Sequence, residues 1–309
     1  MASGNLESIS VCIATYRRMD RLAAVLDDLA AQELLPDEVI VVDNDASGSA
    51  RAVVEDKLRV GLPFPIHYDI QAQRNISLTR NRTVALAKGS WLAFIDDDER
   101  APRAWLRQLM EFAHEQMADG VLGPVIPVVP ADAPAWIRRG SFYDFPRLPT
   151  GSIVPLNRMR FGNLVLRGQA VRDQPGPFDP AYGLMNGEDG DLLVRLASKG
   201  ARILWRDDAV VTEPVERSRL SLGWLLQRSF TGGQDFAHKT LTGSYGPISP
   251  RGRAVFFLRC AVQLGAALGL SACLLPLGRH HAVHWLTRAW ANWGKLTVFF
   301  GRRRYSAYA

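Results

Sequence analysis

Three short polar segments of this 309-residue sequence hold residue types that can bind and activate a substrate. Each directly follows an apolar run of strand length, and the segments are residues 15–18 (TYRR), 43–47 (DNDAS) and 96–99 (DDDE). They concentrate hydroxyl, guanidinium and carboxylate groups, which bind phosphate and divalent cations and can transfer protons. We therefore treat the three segments as candidate parts of one site.

The run DDDE is the densest acidic cluster in the sequence. Four adjacent carboxylates repel one another unless a cation or a hydrogen-bond donor compensates their charge. Asp96 and Asp98 project to the same side of an extended chain, and hard divalent cations prefer oxygen ligands of this kind. We expect these two residues to hold Mg²⁺ or Mn²⁺ against a departing diphosphate. A solvated acidic turn is the alternative interpretation.

A second acidic segment, NGEDGDLLVRLASKG, covers residues 186–200. Its apolar residues recur with helical spacing, which places Glu188, Asp189 and Asp191 at the start of a helix. Acidic side chains at this position stabilise a helix through its dipole and its unpaired N–H groups. One of them can instead project into a crevice as a general base. The residues by themselves leave both interpretations open.

The elements that must position these side chains alternate between strand and helix. The pattern predicts strands at 9–16, 38–43, 67–70 and 91–96, with helices near 22–29, 53–58 and 77–87. Such alternation indicates an α/β fold with a mostly parallel sheet, helices on both faces and ligands at the carboxyl ends of the strands. The segment 124–155 holds seven of the 18 prolines and is predicted to be an irregular cover over the site.

Missing features weaken an assignment as a dinucleotide-dependent oxidoreductase and argue against a P-loop kinase or ATPase, a disordered chain and a disulfide-rich protein. The first strand continues into TYRR, so the sequence has neither the glycine-rich turn of a dinucleotide-binding fold nor a P-loop there. A hydrophobic content of 47% is too high for a disordered chain, and three cysteines cannot form a disulfide framework. Cys12, Cys260 and Cys273 are predicted to be reduced, buried thiols of a protein that faces the cytosol.

The net charge of +6 is unevenly distributed along the chain. Residues 251–309 hold nine Lys or Arg and no acid, whereas residues 1–250 hold 28 basic and all 31 acidic groups. Nineteen residues between Arg259 and Arg279 contain no Asp, Glu, Lys, Arg or His, and Trp mixes with Lys and Arg after them. This pattern is typical of helices that span or lie in a bilayer, and it favours anionic phospholipid over nucleic acid as a partner. A buried core helix is the alternative.

In combination, the motifs resemble glycosyltransferase family 2, and in particular its bacterial members that build exopolysaccharide repeat units of the succinoglycan type. The resemblance rests on seven segments in family order, namely TYRR, VVDND (41–45), QRNISLTRNR (73–82), FIDDDE (94–99), FGN (161–163), GPFDPAYG (176–183) and GEDGDLLVR (187–195). It implies a GT-A fold, which is a Rossmann-like nucleotide-binding sheet. We expect this domain to cover 1–245 and a basic, apolar helical tail to cover 246–309.

The resemblance also implies roles for individual residues. Glu188 would orient the acceptor and Asp189 would be the catalytic base that deprotonates it. The metal would be bound by Asp98, with Asp96 and Glu213 as further ligands. The donor site would consist of Thr15, Arg17, Asp43, Asn44, Asp45, Arg80, Asp96 and Arg228. Two departures from the family pattern are Asn44, where many members have Asp, and Glu213, where many have His.

The predicted function is metal-dependent, inverting transfer of a sugar from a nucleotide diphosphate sugar, with a UDP-sugar favoured, to a lipid-linked saccharide. The enzyme is expected at the cytoplasmic face of the bacterial inner membrane. One alternative keeps the chemistry and makes a polyprenyl phosphate the acceptor. Two alternatives from other classes are a nucleotidyltransferase and a non-catalytic membrane scaffold.

Overall fold

The structure is a computed structural model that describes residues 7–183 and 188–301, apart from the side chains of residues 188 and 189. The described chain divides into two compact units. The first unit contains the residues up to 126 together with Phe145–Glu213. The second contains Pro127–Asp144 and the residues from Pro214 onward.

A seven-stranded mixed sheet forms the centre of the first unit. The strands of the described chain are β1 Ile9–Thr15, β2 Glu38–Asp43, β3 Ile66–Ile70, β4 Trp91–Phe94, β5 Gly120–Leu122, β6 Val125–Val128, β7 Leu164–Arg167, β8 Ile203–Trp205 and β9 Val211–Pro214. The order across the sheet is β3-β2-β1-β4-β7-β5-β8. The first four strands are parallel, β7 is antiparallel to both neighbours, and β8 is parallel to β5. Strands β6 and β9 form a separate two-stranded sheet.

Helices follow the parallel strands in alternation, as predicted. The helices are α1 Met19–Ala30, α2 Arg51–Val60, α3 Ile76–Leu86, α4 Trp105–Glu115, α5 Ala135–Arg138, α6 Gly168–Arg172, α7 Glu188–Ser198, α8 Leu222–Leu241, α9 Pro250–Leu274 and α10 Arg279–Phe299. The apolar side chains of α1, α2 and α4 pack in one core with β1, β2 and β4. Helix α3 contacts β1 and β2, and α6 contacts β4 and β7. The predicted α/β fold with a mostly parallel sheet is confirmed.

The register of the parallel strands brings the predicted polar segments to the same edge of the sheet. Thr15, the last residue of β1, pairs with Asp43, the last residue of β2. On the other side of β1, Cys12 pairs with Phe94 of β4. Continuing this register places residue 97 beside residue 15. The candidate site is therefore built by strand pairing between segments that are far apart in the sequence.

The proline-rich segment differs from its prediction as an irregular cover, because residues 127–144 pack into the core of the second unit. Ile137 and Tyr143 are buried there with Val215, Leu225 and Val283. The Tyr143 hydroxyl donates to the Arg219 carbonyl oxygen at 2.9 Å. Apolar and aromatic residues among the prolines supply this packing, so residues 127–144 are part of the second unit, whereas residues 124–126 and 145–155 belong to the first.

Helices α8, α9 and α10 form the rest of the second unit, and α10 packs along both of the others. The sequence led us to expect a domain boundary at residue 245, which would place α8 (Leu222–Leu241) in the first domain. In the structure, α8 belongs to the same compact unit as the tail. The physical reason is a close approach between α8 and α10. A Cβ atom on Gly233 would lie 2.0 Å from the Ala291 carbonyl oxygen, and one on Gly294 would lie 2.1 Å from that of Phe230.

Helix α9 presents apolar side chains to the outside along its length. Val255, Leu258 and Val262 share one face and are 65%, 64% and 63% exposed. Among the described residues, the segment Pro250–Leu277 is long enough to cross a bilayer, and an 18-residue window within it has a mean hydropathy of 1.8, which is typical of such helices. Cys273 is exposed in this segment, unlike its prediction as a buried thiol, whereas Cys12 and Cys260 are buried.

The close approach of α8 and α10 gives a test with two adjacent glycines. Gly232→Ala should leave the second unit unchanged or stabilise it by about 0.5–1 kcal/mol, because Gly232 is exposed and alanine favours a helix. Gly233→Ala should destabilise it by about 1–3 kcal/mol, because the added methyl group meets a backbone carbonyl that cannot move independently. Thermal unfolding of the two variants measures the difference. Equal melting temperatures would contradict the described contact.

Candidate active site

The acidic loop after β4 is largely buried at the edge of the sheet. Asp97, Asp98 and Glu99 are buried, whereas the side chain of Asp96 is 43% exposed. Buried carboxylates are costly unless they are paired or protonated. The surroundings of this loop supply both kinds of compensation.

Arginines from the start of α1 neutralise the middle of the loop. Arg18 donates through Nη1 to Asp97 Oδ1 and to Asp98 Oδ2, both at 2.9 Å. Arg21 donates to Asp98 Oδ2 at 3.2 Å. The Thr15 hydroxyl donates to Asp97 Oδ2 at 2.7 Å. The end of β1 and the end of β4 are thus joined by charged and neutral hydrogen bonds.

Two carboxyl groups of the loop hold their protons more tightly than usual. Burial raises the pKa of Asp97 to about 6, although the nearby Arg18 opposes this shift. Burial also raises the pKa of Glu99, with a further contribution from the negative charge of Asp96. The raised pKa of Glu99 favours its neutral form, which reduces the repulsion within the loop.

Backbone contacts fix Glu99 in this buried position. Its Oε2 accepts a hydrogen bond from the Asp96 N–H at 3.1 Å, so the loop closes on itself. Its Oε1 lies where a side chain on Gly162 would be, because a Cβ there would be 2.4 Å away. Gly162 also has φ of +114°, a conformation that favours glycine. This explains the glycine of the FGN segment.

Arg80 of α3 supports the exposed end of the loop. Its Nη2 donates to Asp96 Oδ1 at 3.1 Å. Its guanidinium group lies 4.6 Å from the centre of the Phe161 ring and 5.9 Å from that of Phe178. Arg80 thus lies against a pair of aromatic rings with its charged end directed at Asp96.

At the end of β2, Asp43 organises the loop that follows it. Its carboxylate accepts from the backbone N–H groups of Asp45 at 2.9 Å and Ala50 at 2.7 Å. It also accepts from the Tyr68 hydroxyl at 3.1 Å. Burial and the charge of Asp43 raise the pKa of Tyr68, so this hydroxyl stays protonated as a donor. Asp43 is buried, and these contacts are all internal to the protein.

The amide of Asn44 is used within the chain in the same way. Its Nδ2 donates to the carbonyl oxygens of Gln71 at 2.9 Å and Gln73 at 2.8 Å. Its Oδ1 accepts from the Asn75 N–H at 3.0 Å. A carboxylate could not donate to the two carbonyl groups. This is a physical reason for Asn at a position where the family resemblance leads one to expect Asp.

The exposed Arg17 forms an ion pair with the buried Asp45. Arg17 Nε donates to Asp45 Oδ2 at 2.7 Å, and this hydrogen bond lowers the pKa of Asp45 to about 2. Arg17 has φ of +54°, a strained conformation for a residue other than glycine. Tyr16 lies between two guanidinium groups, with Arg17 at 5.2 Å and Arg74 at 4.9 Å from its ring centre.

Asparagine side chains also connect the other segments of the predicted motif set. Asn163 accepts from Trp105 Nε1 at 2.7 Å and donates to the Ala209 carbonyl at 2.6 Å. Asn81 of α3 forms a reciprocal pair of hydrogen bonds with the backbone of Phe178. Asn75 donates to the Pro180 carbonyl at 3.0 Å. The segment 178–183 is therefore held by α3 just before the acidic start of α7.

Glu213 of β9 lies beside the acidic loop. Thr212 and Arg100 exchange backbone hydrogen bonds of 2.8 and 3.0 Å, which aligns β9 with the residue after Glu99. The charge of Glu213 contributes to the raised pKa of Glu99. In residues 7–183 and 188–301, however, no three His, Cys, Asp or Glu side chains are grouped closely enough to hold a metal ion. Asp98 is instead paired with two arginines.

In the described part of the chain, only some of the predicted site residues contact one another directly. Direct contacts join Arg17 to Asp45, Thr15 to Asp97 and Arg80 to Asp96. Arg228 lies on α8 in the second unit, 5.1 Å from the Trp224 ring centre. The side chains of Glu188 and Asp189 lie outside the described residues, although α7 begins at Glu188 as the sequence predicts. The assigned functions of all these residues stay predictions.

The model of the family described as Glycosyl transferase family 2 matches residues 10–168, which contain the three strand-end segments. The chain belongs to this family. It is therefore a glycosyltransferase, and its mixed sheet is the GT-A sheet that the motif resemblance implied.

Curated relatives agree with this assignment. The chain is 39% identical over 230 residues to the Succinoglycan biosynthesis protein ExoM of Rhizobium meliloti (strain 1021), and the match covers 73% of each protein. It is 33% identical over 125 residues to the Galactofuranosyltransferase GlfT1 of Mycobacterium tuberculosis (strain ATCC 25618 / H37Rv). That match covers 39% of this chain and 40% of the relative.

Solved structures share the fold at low sequence identity. The mannosyltransferase PcManGT from Pyrobaculum calidifontis, in complex with GDP-Man and Mn²⁺, gives a TM-score of 0.65 at 17% identity, over 94% of this chain and 87% of that one. Residues 1–349 of S. aureus TarS, in complex with UDP, give a TM-score of 0.54 at 17% identity, over 96% and 92%.

Sequence analysis of this glycosyltransferase did not assign site roles to Arg18, Arg21, Asp97 and Glu99. The available signal was three arginines within the five residues 17–21, directly after β1 and opposite four acids. Opposite charges at the ends of two paired strands are expected to neutralise each other. The identity of the paired side chains depends on the strand register, which the sequence does not specify.

The raised pKa of Asp97 predicts a dependence of stability on pH. Because the folded-state pKa of about 6 exceeds the ordinary value of 3.8, the native state binds this proton more tightly than the unfolded state. The free energy of unfolding should therefore fall, by up to about 3 kcal/mol from this group, as the pH rises through this range. Glu99 acts in the same direction.

Asp97→Asn should remove the contribution of Asp97 and make the stability of the metal-free protein less dependent on pH. The amide oxygen can still accept from the Thr15 hydroxyl. Urea unfolding at a series of pH values, in the presence of a chelator, measures this effect. An unchanged slope in the variant would contradict a buried, proton-binding Asp97.

Proposed function

We propose that this glycosyltransferase is membrane-associated, metal-dependent and inverting, and that it moves a sugar from a nucleotide diphosphate sugar to a lipid-linked saccharide in cell-surface polysaccharide synthesis. The observation that carries the proposal is the direct linkage of three strand ends by arginines and carboxylates. A diphosphate needs cationic partners, and a cation that bridges it to the protein needs carboxylates. The strand ends supply both.

Within the proposed donor site, the residues divide into two groups. Arg17 and Asp96 have exposed side chains, and the buried Arg80 directs its guanidinium group at Asp96, so we assign direct contacts with the donor to these three residues. Asp43 and Asn44 are buried, and their polar atoms hold loop backbone, so we assign them to positioning the loop. Arg228 is proposed as a further phosphate ligand. We favour a UDP-sugar as the donor.

Asp98, Asp96 and Glu213 are the residues that we propose to hold Mg²⁺ or Mn²⁺. Their oxygen atoms suit either ion. The fit requires Arg18 and Arg21 to release Asp98, because their guanidinium groups now compensate the charge that a divalent ion would compensate. When bound, the ion would offset the negative charge that develops on the departing diphosphate.

Asp189 is the proposed general base and Glu188 the proposed acceptor ligand. A single displacement with inversion needs one base, which removes a proton from the acceptor hydroxyl as its oxygen attacks the anomeric carbon. The position at the start of α7 suits this role, since α3 holds segment 178–183 just before it through Asn75 and Asn81. Arg195 and Asp191 form an ion pair one turn further along the helix.

The acceptor and the location rest on the tail and on a relative. Helix α9 has a long exposed apolar face, and the relative in Rhizobium meliloti is named as a succinoglycan biosynthesis protein. A lipid-linked acceptor and an enzyme bound to the cytoplasmic face of the bacterial inner membrane account for both features.

The metal assignment predicts different behaviour for two adjacent aspartates. Asp98→Asn should abolish the increase in UDP affinity that Mn²⁺ produces, because it removes a proposed ligand. Asp97→Asn should largely retain it, because the carboxylate of Asp97 is engaged by Thr15 and Arg18. Calorimetric titration with UDP, with GDP in parallel, measures both variants. If both variants keep the Mn²⁺-dependent increase in UDP affinity, the metal assignment is wrong.

The base assignment is tested on α7 with a matched pair of variants. Asp189→Asn should lower kcat/KM by about 100-fold or more, because no group then accepts the acceptor proton, while UDP affinity stays unchanged. Asp191→Asn should have an effect of only a few fold, because Asp191 pairs with Arg195. Release of UDP from nucleotide sugars in membrane extract provides the rate.

The turnover of Asp189→Asn also distinguishes a saccharide hydroxyl acceptor from a polyprenyl phosphate acceptor. If the acceptor is a polyprenyl phosphate, the attacking oxygen carries no proton that needs removal, and Asp189→Asn retains turnover. If no nucleotide sugar is consumed with any membrane extract although UDP binds, the proposal of transfer to a lipid-linked acceptor is wrong.

A further inference from the structure

A cavity of about 300 Å³ lies between α9 and α10 of the second unit. Its polar lining comes from Trp285, Arg288, Asn292 and Lys295 on α10 and from Gln263 on α9. The four α10 residues are spaced three, four and three apart, so they occupy one face of that helix. This polar face is directed at the part of α9 that follows Arg259, which contains no charged residue, and this is an unusual pairing for simple packing.

The two cations of the cavity have no acidic partner in the described chain. Arg288 lies 4.8 Å from the Trp285 ring centre, and Lys295 donates to Asn292 Oδ1 at 3.2 Å. Lys295 also lies 5.3 Å from the Phe236 ring centre. The sequence has no Asp or Glu from residue 251 onward. Two cations beside an apolar helix without a carboxylate leave charge for an external anion to compensate.

Small side chains on α9 keep the space in front of these cations open. Ala266 and Ala267 line the cavity where larger residues would fill it. Its volume is at the lower end of the range typical of small-molecule sites. Arg288 is exposed, Lys295 is half-buried and Asn292 is buried. Asn292 Nδ2 already donates to the Arg288 carbonyl oxygen at 3.0 Å, which leaves its second N–H for a ligand beside the two cationic donors. A phosphoryl group accepts hydrogen bonds from all three types of donor.

The surroundings of the cavity indicate that the anion carries an apolar chain. The adjacent outer face of α9 exposes Val255, Leu258 and Val262. Trp285 borders the opening, and tryptophan is typical of the boundary between lipid and water. Basic sites between membrane helices bind lipid head groups in this way.

We propose that the cavity between α9 and α10 binds the phosphoryl head group of a membrane lipid, with the lipid chain along the apolar face of α9. This rests on the membrane association in the proposed function but not on the donor chemistry. Two sources share this chemistry, namely an anionic phospholipid and the polyprenyl carrier of the acceptor.

The test uses the full chain in detergent with two lipids as separate probes, phosphatidylglycerol and a polyprenyl diphosphate. Native mass spectrometry measures the lipid retained. Arg288→Gln combined with Lys295→Gln should reduce retention by about tenfold, because both charge-assisted contacts are lost. Ala266→Leu should reduce it comparably without a change in charge, because the leucine occupies the cavity. Whichever lipid binds more tightly identifies the source.

The matched control is Arg251→Gln combined with Arg253→Gln, which removes two exposed charges of the same helix pair outside the cavity. It should change retention by less than about twofold, since its residues do not line the site. If the two double variants lose lipid retention equally, the lipid is attracted diffusely to the basic tail and the proposal is wrong. Unchanged lipid retention in Ala266→Leu would also overturn it.

Thermal unfolding and UDP calorimetry on the same variants separate this inference from the proposed function. Unchanged melting and UDP binding, together with loss of lipid, support the cavity site. Unchanged UDP binding with no lipid retained by the native protein overturns the cavity site and leaves the donor chemistry intact.

Discussion

The structure of the first unit depends on how four consecutive acids are accommodated at the edge of a buried sheet. Three of them are buried, and Coulomb repulsion at such short range would open the loop if all were charged and unpaired. Arg18 and Arg21 compensate Asp97 and Asp98, Arg80 compensates Asp96, and burial raises the pKa of Glu99.

Several residues of the motif segments hold loops in place through contacts within the protein. Asn44, Asn75 and Asn163 each bond to the backbone of other segments. Gly162 leaves room for Glu99. Gly183 similarly leaves room for Asn75, since a Cβ there would lie 1.7 Å from the asparagine oxygen. Side-chain amides suit this task because one amide group both donates and accepts, and can satisfy two loops that lack strand partners.

The second unit follows a different principle, in which small residues determine how closely helices approach. Gly233 and Gly294 allow α8 and α10 to meet at backbone distance. Between α9 and α10, alanines instead leave a cavity beside two cations. The basic charge of the chain is concentrated in this unit, so the basic pI of about 9.5 describes its helical tail more than the central sheet of the first unit.

The sequence by itself determined the alternation of strands and helices, the positions of the three polar strand ends and the apolar character of the tail. These follow from local periodicity: Leu22, Val25, Leu26 and Leu29 are all fully buried on one face of α1, as their spacing predicts. Only the tertiary structure decided which arginine meets which carboxylate, that Asp43 and Asn44 hold loops, and that residues 127–144 belong with the tail. Strand register and helix packing join residues some 80 positions apart, as in the contact of Thr15 with Asp97. Local patterns do not encode such pairings, because they depend on the whole fold.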